Sequence, residues 1–399
     1  MRQEDDSDLC EGGGTPVGQM FWPAGGRTKR KANYELLRIL SMVMVITLHY
    51  LSHTGSLLEA GEDASGRQFL GTLIESFCIV AVNVYVLISG YFLVEAGFRV
   101  KRILLLAAQV LFYSLLVPLV MLGMGGLAGE EGIYRMIPYV FPLQTEHYWF
   151  ATSYVLLYLF SPLLNAAVKH MGKRQLQIVL AGLLLLFAGV KSVVPFYFVT
   201  DRFGYDFGWF LCVYLVAAYL RLYGFSVLRT AKRAWGCYAG CALLTFAAVA
   251  GAYLFCRKTG MFAYYVSVPF HYNYVLCLFG AVALFAAAGH WNIPAGKRAD
   301  GICRLSAFTF GVYLFHEHLD IRNVWVGWIE EFMGPVSETG TGGFLVHLAV
   351  SVLLVYAAGT FVDAVRLNIF RYLHRYVSKT RLAAAVRKLD GAFLEGKGR

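Results

Sequence analysis

Long apolar runs separated by short polar gaps fill the chain from residue 33 to residue 367. A helix needs about 20 apolar residues to cross a hydrocarbon layer roughly 30 Å thick. On that measure the spans fall at 33–53, 69–94, 103–124, 149–168, 175–195, 207–224, 235–256, 270–289, 306–329 and 343–367. The pattern predicts an all-α fold, a polytopic membrane helix bundle of about ten transmembrane helices. It divides the chain into a tail over 1–31, a membrane domain over 32–368 and a basic tail over 369–399. Acidic residues, glycines and low hydrophobicity in the first tail predict disorder there.

Composition supports a membrane solvent. The chain is 58% hydrophobic and 15% charged, with a mean hydropathy of +0.57, whereas a soluble domain carries roughly 25% charged residues. Its net charge of +10 does not point to nucleic acid, because the basic residues occupy gaps between apolar runs and bring no recognition motif with them. Basic residues gather on the cytoplasmic side of membrane helices. The clusters Arg99/Lys101/Arg102, Lys169/Lys173/Arg174, Arg221/Arg229/Lys232/Arg233 and Lys297/Arg298/Arg304 all fall on the side of Arg27 to Lys31. The opposite loops hold Glu59, Glu62, Asp63, Glu130, Glu131 and Glu338. Both termini are therefore expected in the cytoplasm, with the protein a multi-pass resident of the cell (plasma) membrane. The eight cysteines are scattered without a CxxC pair, so neither a zinc site nor a disulfide framework is indicated. They are expected to pack as small hydrophobes.

Ionisable groups inside an apolar span are costly and tend to face a bundle interior or a cavity. In the first span Arg38 and His49 stand eleven residues apart. That is about three helical turns, which puts both on one face with an axial separation of ~16 Å. Arg38 and Arg322 are arginines that fall inside spans rather than in the basic clusters. The ninth span carries His316, Glu317, His318 and Asp320, and as a continuous helix it would turn Glu317 and Asp320 the same way. His316 and His318 would point apart by ~200°, so no metal site is expected from that pair.

The arginine, ten intervening residues and a histidine in the first membrane helix resemble the acyltransferase 3 family of integral-membrane O-acyltransferases. Further segments occur in the family's order: Ser89-Gly90-Tyr91-Phe92-Leu93, the basic Arg99-x-x-Arg102 patch, Tyr148-Trp149-Phe150, Ser161-Pro162-Leu163-Leu164 and Gly311-Val312-Tyr313-Leu314-Phe315-His316. The resemblance covers residues 33–367. It implies transfer of an acyl group, commonly acetyl from cytoplasmic acetyl-CoA, to a hydroxyl of a cell-envelope glycan or related acceptor. It also implies Arg38 and His49 as the functional pair.

Chemistry then distributes the remaining roles. Arginine and lysine at the inner edge suit the phosphates of acyl-CoA, which nominates Arg38, Arg99, Lys101 and Arg102 for the donor. Anchoring alone is the competing explanation for the last three. His49 is the expected base toward the acceptor hydroxyl, or else an acyl carrier, with His316 and Glu317 as catalytic partners. His147, Trp149 and Asn83 are candidate acceptor-binding residues at the outer edge or within the bundle, although aromatic belts and helix–helix hydrogen bonds also account for such positions. Gln109, Asp206, His271 and Asn273 are further polar groups able to line a cavity. The aromatic segments 195–198 and Phe262 to Tyr265 are candidates for stacking on sugars. A transporter or flippase for a lipid-linked sugar is the rival class, and an inactive relative acting as a sensor is a third.

Overall fold

A computed structural model describes residues 9–10, 30–123, 133–194 and 202–395. Most of the expected 1–31 tail lies outside the described residues, as does the aromatic segment 195–198. Within that tail Leu9–Cys10 (β1) pairs antiparallel with Arg30–Lys31 (β2).

The rest is helical. In chain order the helices are α1 (Ala32–His53), α2 (Gly66–Cys78), α3 (Ala81–Leu93), α4 (Val100–Gly123), α5 (Ile133–Val140) and α6 (Trp149–His170). Next comes α7 (Lys173–Val193), which passes through a π-helical turn at Leu185–Gly189. The series continues with α8 (Phe207–Tyr223), α9 (Ala231–Thr259), α10 (Val275–Ala288), α11 (Lys297–Ser306) and α12 (Thr309–His316). It closes with α13 (Trp325–Met333), α14 (Thr341–Val377) and α15 (Arg381–Glu395).

Among the described residues, eight segments are long and apolar enough to cross a membrane: α1, Gly66–Leu93, α4, α6, α7, α9, Ala263–Ala288 and α14. The shorter apolar α8 fills the place of the sixth expected span. Burial separates centre from periphery, because Gly66–Leu93 is 72% buried over its most apolar window and α7 only 22%. Leu119, Leu163, Leu353 and Phe361 are each at least 66% exposed. A monomer in water does not tolerate an apolar surface of that extent, whereas acyl chains cover it without cost.

The ninth expected span departs from a continuous helix. Helix α12 stops at His316, turns occupy 317–324, and α13 begins only at Trp325. Glu317 and Asp320 therefore do not share a helical face. The break has a polar cause: the His318 carbonyl accepts from the amides of Ile321 at 2.9 Å and Arg322 at 2.8 Å. The Asp320 amide bonds the His318 ring at 3.2 Å. Irregular backbone survives at membrane depth when protein groups satisfy it in this way.

Helix α14 reaches α12 through two glycines. A Cβ at Gly359 would lie 2.8 Å from Val312 Cα, and one at Gly311 would lie 2.2 Å from Asp363 Cγ. Small residues let helix backbones approach this closely. Beneath the contact, Asp363 and Arg366 form a fully buried bidentate pair at 2.7 and 2.9 Å. Asp363 also accepts from Gln109 at 3.1 Å and Tyr113 at 2.9 Å. Among the described residues six cysteines are free: Cys78, Cys212, Cys256 and Cys277 are buried as packing residues, Cys241 is partly buried and Cys237 is exposed. Cys303 is disulfide-bonded, which corrects the expectation for that position; a cross-link needs spatial proximity and no sequence motif.

Candidate active site

The first helix carries both ends of the site. Arg38 and His49 line one cavity of about 220 Å³, together with Arg102, Tyr158, Trp149 and Tyr272. Their shared helical face thus becomes the wall of a continuous space. Its lining is mainly apolar and aromatic, the usual character of a pocket in which a few polar groups set orientation.

At the Arg38 end, one guanidinium nitrogen donates to Glu35 at 3.3 Å, and Ser306 holds the other Glu35 oxygen. Tyr85 donates to the Arg38 carbonyl at 2.8 Å. Of the basic patch only Arg102 joins Arg38 in the cavity lining. The Arg99 amide donates to the Tyr158 hydroxyl at 3.0 Å, and the Val100 and Lys101 amides donate to Asp390 of α15 at 2.6 and 3.4 Å. Those amides are the unsatisfied donors of a helix start, and Asp390 caps them. The structure does not place the Arg99 and Lys101 side chains in this wall.

At the His49 end three groups converge from two chain segments. His49 Nδ1 lies 3.1 Å from His316 Nε2 and 3.0 Å from Glu317 Oε1. His316 Nδ1 lies 2.7 Å from the Val312 carbonyl. A carbonyl can only accept, so His316 carries its proton on Nδ1 and offers Nε2 as an acceptor. His49 must then carry its proton on Nδ1, shared toward His316 and Glu317. Its Nε2 lone pair is left available. His316 is buried, while His49 and Glu317 are partly open. Glu317 terminates α12, so the break that ends the helix also aims the carboxylate back at His49.

The same three side chains bring ligand atoms within 4.8 Å of one another. Among the described residues they are the set able to hold a metal ion. A tetrahedral ion would require a fourth ligand, and the hydrogen bonds already account for each of the three atoms.

The remaining candidates divide. Trp149 lines the cavity. Asn83 is fully buried, donates to the Tyr272 carbonyl at 2.7 Å and accepts from the Trp209 indole at 2.9 Å. With both ends of its amide engaged, Asn83 braces α3 against α8 and the start of α10. His147 is 3% exposed, stacks on Tyr148 at 4.1 Å and donates to the Pro138 carbonyl at 3.0 Å. Burial holds its imidazole down to about 4, which keeps it neutral. His318 faces His147, with ring centroids 4.7 Å apart, and so turns away from His49. Exposed His53 sets its ring against Trp325.

Sequence reasoning gave no site role to Tyr85, Tyr158, Tyr205, Tyr272, Glu75 or the Asp363–Arg366 pair. Two of these had a readable signal: Glu75 is an ionisable residue inside an apolar span, and the opposite charges of Asp363 and Arg366, three residues apart in an apolar run, are helical neighbours.

No curated protein and no solved structure matches the chain. A family model described as an acyltransferase domain matches residues 31–383, nearly the whole sequence. The bundle, the membrane-length helices and this match agree, and the chain belongs to the acyltransferase 3 family as an integral-membrane acyltransferase.

Proposed function

We propose that this protein transfers a short acyl group, acetyl in the first instance, from cytoplasmic acyl-CoA to a hydroxyl of a cell-envelope glycan or related acceptor. The observation that carries the reading is the single cavity joining Arg38 and Arg102 to His49. In this reading Arg38 and Arg102 take CoA phosphates at the cytoplasmic mouth, and the thioester arm lies along the apolar wall. Arg99 and Lys101 add positive potential nearby. The protein works in the plasma membrane, with both termini on the donor side.

His49 Nε2 removes the acceptor hydroxyl proton as that oxygen attacks the thioester carbonyl. The C–O bond forms, the C–S bond breaks, and the proton on His49 passes to the departing thiolate. Glu317 supports the transient imidazolium through Nδ1–H, and His316 fixes the ring plane. A position held by hydrogen bonds on one nitrogen leaves the other pre-aimed, which lowers the entropic part of the barrier.

Mass spectrometry of envelope glycans tests the reading in cells with the wild-type protein, a deletion, or His49→Ala. Loss of one acyl ester in the latter two supports it. An unchanged ester profile with altered export of an unmodified glycan overturns it in favour of transport.

A further inference from the structure

Two aromatic rings of the cavity wall, Trp149 and Tyr272, carry a third ring stacked against both. Trp149 at the start of α6 and Tyr272 before α10 line the cavity, and their rings are 5.9 Å apart and near parallel. Tyr205, before α8, sits 4.6 Å from each of them. Tyr272 is buried, whereas Tyr205 is 41% exposed. One stack therefore runs from the cavity wall to the protein surface. All three rings lie where the charge pattern puts the outer ends of their helices.

The stack is held rigidly from behind. The Tyr272 amide donates to the Phe203 carbonyl at 3.0 Å, and Phe203 and Gly204 both have positive φ, 63° and 83°. A Cβ at Gly204 would lie 2.8 Å from Tyr272 Cβ and from the Asn273 amide, so the loop is pressed onto Tyr272. A non-glycine residue in this region is uncommon. Asn83 anchors the Tyr272 carbonyl, and Asp206 caps α8 by accepting from the Trp209 amide at 3.0 Å.

A carboxyl accompanies the rings. Glu75 on α2 is 6% exposed, and its Oε2 is buried without a hydrogen-bond partner. It is an electrostatic neighbour of both Tyr205 and Tyr272. A buried polar atom without a partner costs free energy that a ligand hydroxyl would recover.

We propose that Trp149, Tyr205 and Tyr272 form the acceptor's sugar-stacking subsite, with Glu75 as the acceptor of a sugar hydroxyl. This rests on the acyl-transfer reading above. Aromatic faces receive the apolar C–H face of a pyranose, and a buried carboxyl with an unpaired oxygen beside them selects for hydroxyls. The ligand class is an uncharged hexopyranoside or N-acetylhexosaminide unit. A fatty alcohol would have no use for Glu75. Tyr205 meets the sugar at the surface, and Trp149 and Tyr272 guide its reactive hydroxyl toward His49.

The test uses the full chain in liposomes with acetyl-CoA and a panel of methyl hexopyranosides and methyl N-acetylhexosaminides. Glycerol serves as an acceptor that cannot stack. Tyr205→Ala is expected to raise KM for the glycosides about tenfold or more, the scale of losing one aromatic contact in an interface. KM for acetyl-CoA and the rate of glycerol acylation stay at wild-type values. Tyr205→Phe restores the glycoside KM, and Glu75→Gln raises it without changing the donor KM. An unchanged glycoside KM in Tyr205→Ala overturns the subsite, as does an equal loss with glycerol. If wild-type protein acylates glycerol but no glycoside, the subsite fails while acyl transfer stands. If wild-type protein acylates neither, the acyl-transfer reading fails and takes the subsite with it.

Discussion

The Val312 carbonyl lies 2.7 Å from Nδ1 of His316, and this contact determines which nitrogen of His49 remains available. It fixes His316 Nε2 as an acceptor, so His49 must donate from Nδ1. The open lone pair of His49 is thus oriented through His316, 267 residues away in sequence.

Replacing members of this chain should give a graded series. His49→Ala is expected to reduce transfer by roughly 10²–10⁴-fold, the usual contribution of a positioned base. His316→Ala and Glu317→Gln leave the base in place and should lower kcat by less, with KM for acyl-CoA unchanged. Steady-state kinetics on purified variants checks the ranking; a His316→Ala enzyme with full kcat would remove the positioning role.

The three-group cluster can be separated from a metal centre directly. Activity is expected to survive exhaustive chelation, and elemental analysis of the purified protein should show no stoichiometric divalent ion. A bound ion lost together with activity in His316→Ala would replace the hydrogen-bonded account.

The donor mouth should discriminate among the basic residues. Arg102→Ala is expected to raise KM for acyl-CoA by roughly 10–100-fold, the scale of losing a hydrogen bond to a charged group. Arg99→Ala and Lys101→Ala should change it little, because they lie outside the wall. Donor titrations of the three variants decide this, and equal effects would return the patch to general electrostatics.

The Gly311 and Gly359 contacts predict intolerance to a single methyl group. Gly311→Ala and Gly359→Ala should each destabilise the bundle by about 1–3 kcal/mol, the cost of overpacking. Gly301→Ala, where a Cβ meets nothing within 4 Å, serves as the neutral control. Thermal unfolding in detergent is the measurement.

Asp363 and Arg366 should behave as one unit. Asp363→Ala strands a buried guanidinium and is expected to cost about 3–5 kcal/mol, whereas Asp363→Leu with Arg366→Met should recover much of it. A double variant no more stable than the single one would show that Arg366 has other obligatory partners.

Much of this site was legible because membrane helices enforce simple rules. A spacing of eleven residues put Arg38 and His49 on one wall, and the apolar runs located nearly every span. Motif order placed His316 and Glu317 near the end of the chain, but their meeting with His49 is a tertiary fact. The break after His316 was hidden because hydropathy averages over a window and cannot see side chains that satisfy a broken backbone. Tyr205 and Tyr272 were invisible for another reason: interfacial tyrosines look alike in sequence whether they stack on each other or face lipid. Asn83 shows the converse, since a polar residue in a span marks a buried bond as readily as a binding site.

The aromatic stack has an electrical consequence. In the proposed orientation the cavity would open toward the cytoplasm, and Trp149 and Tyr272 in its wall would belong to the insulation between it and the outer surface. On that reading a proton arriving on His49 would stand part of the way across the transmembrane field. The full drop is worth about 2.3 kcal/mol per elementary charge at 100 mV, which bounds how far membrane energisation can tilt the proton-transfer step. Replacing Trp149 or Tyr272 by a small residue would thin that wall, and proton leak across liposomes carrying the variant is the corresponding measurement.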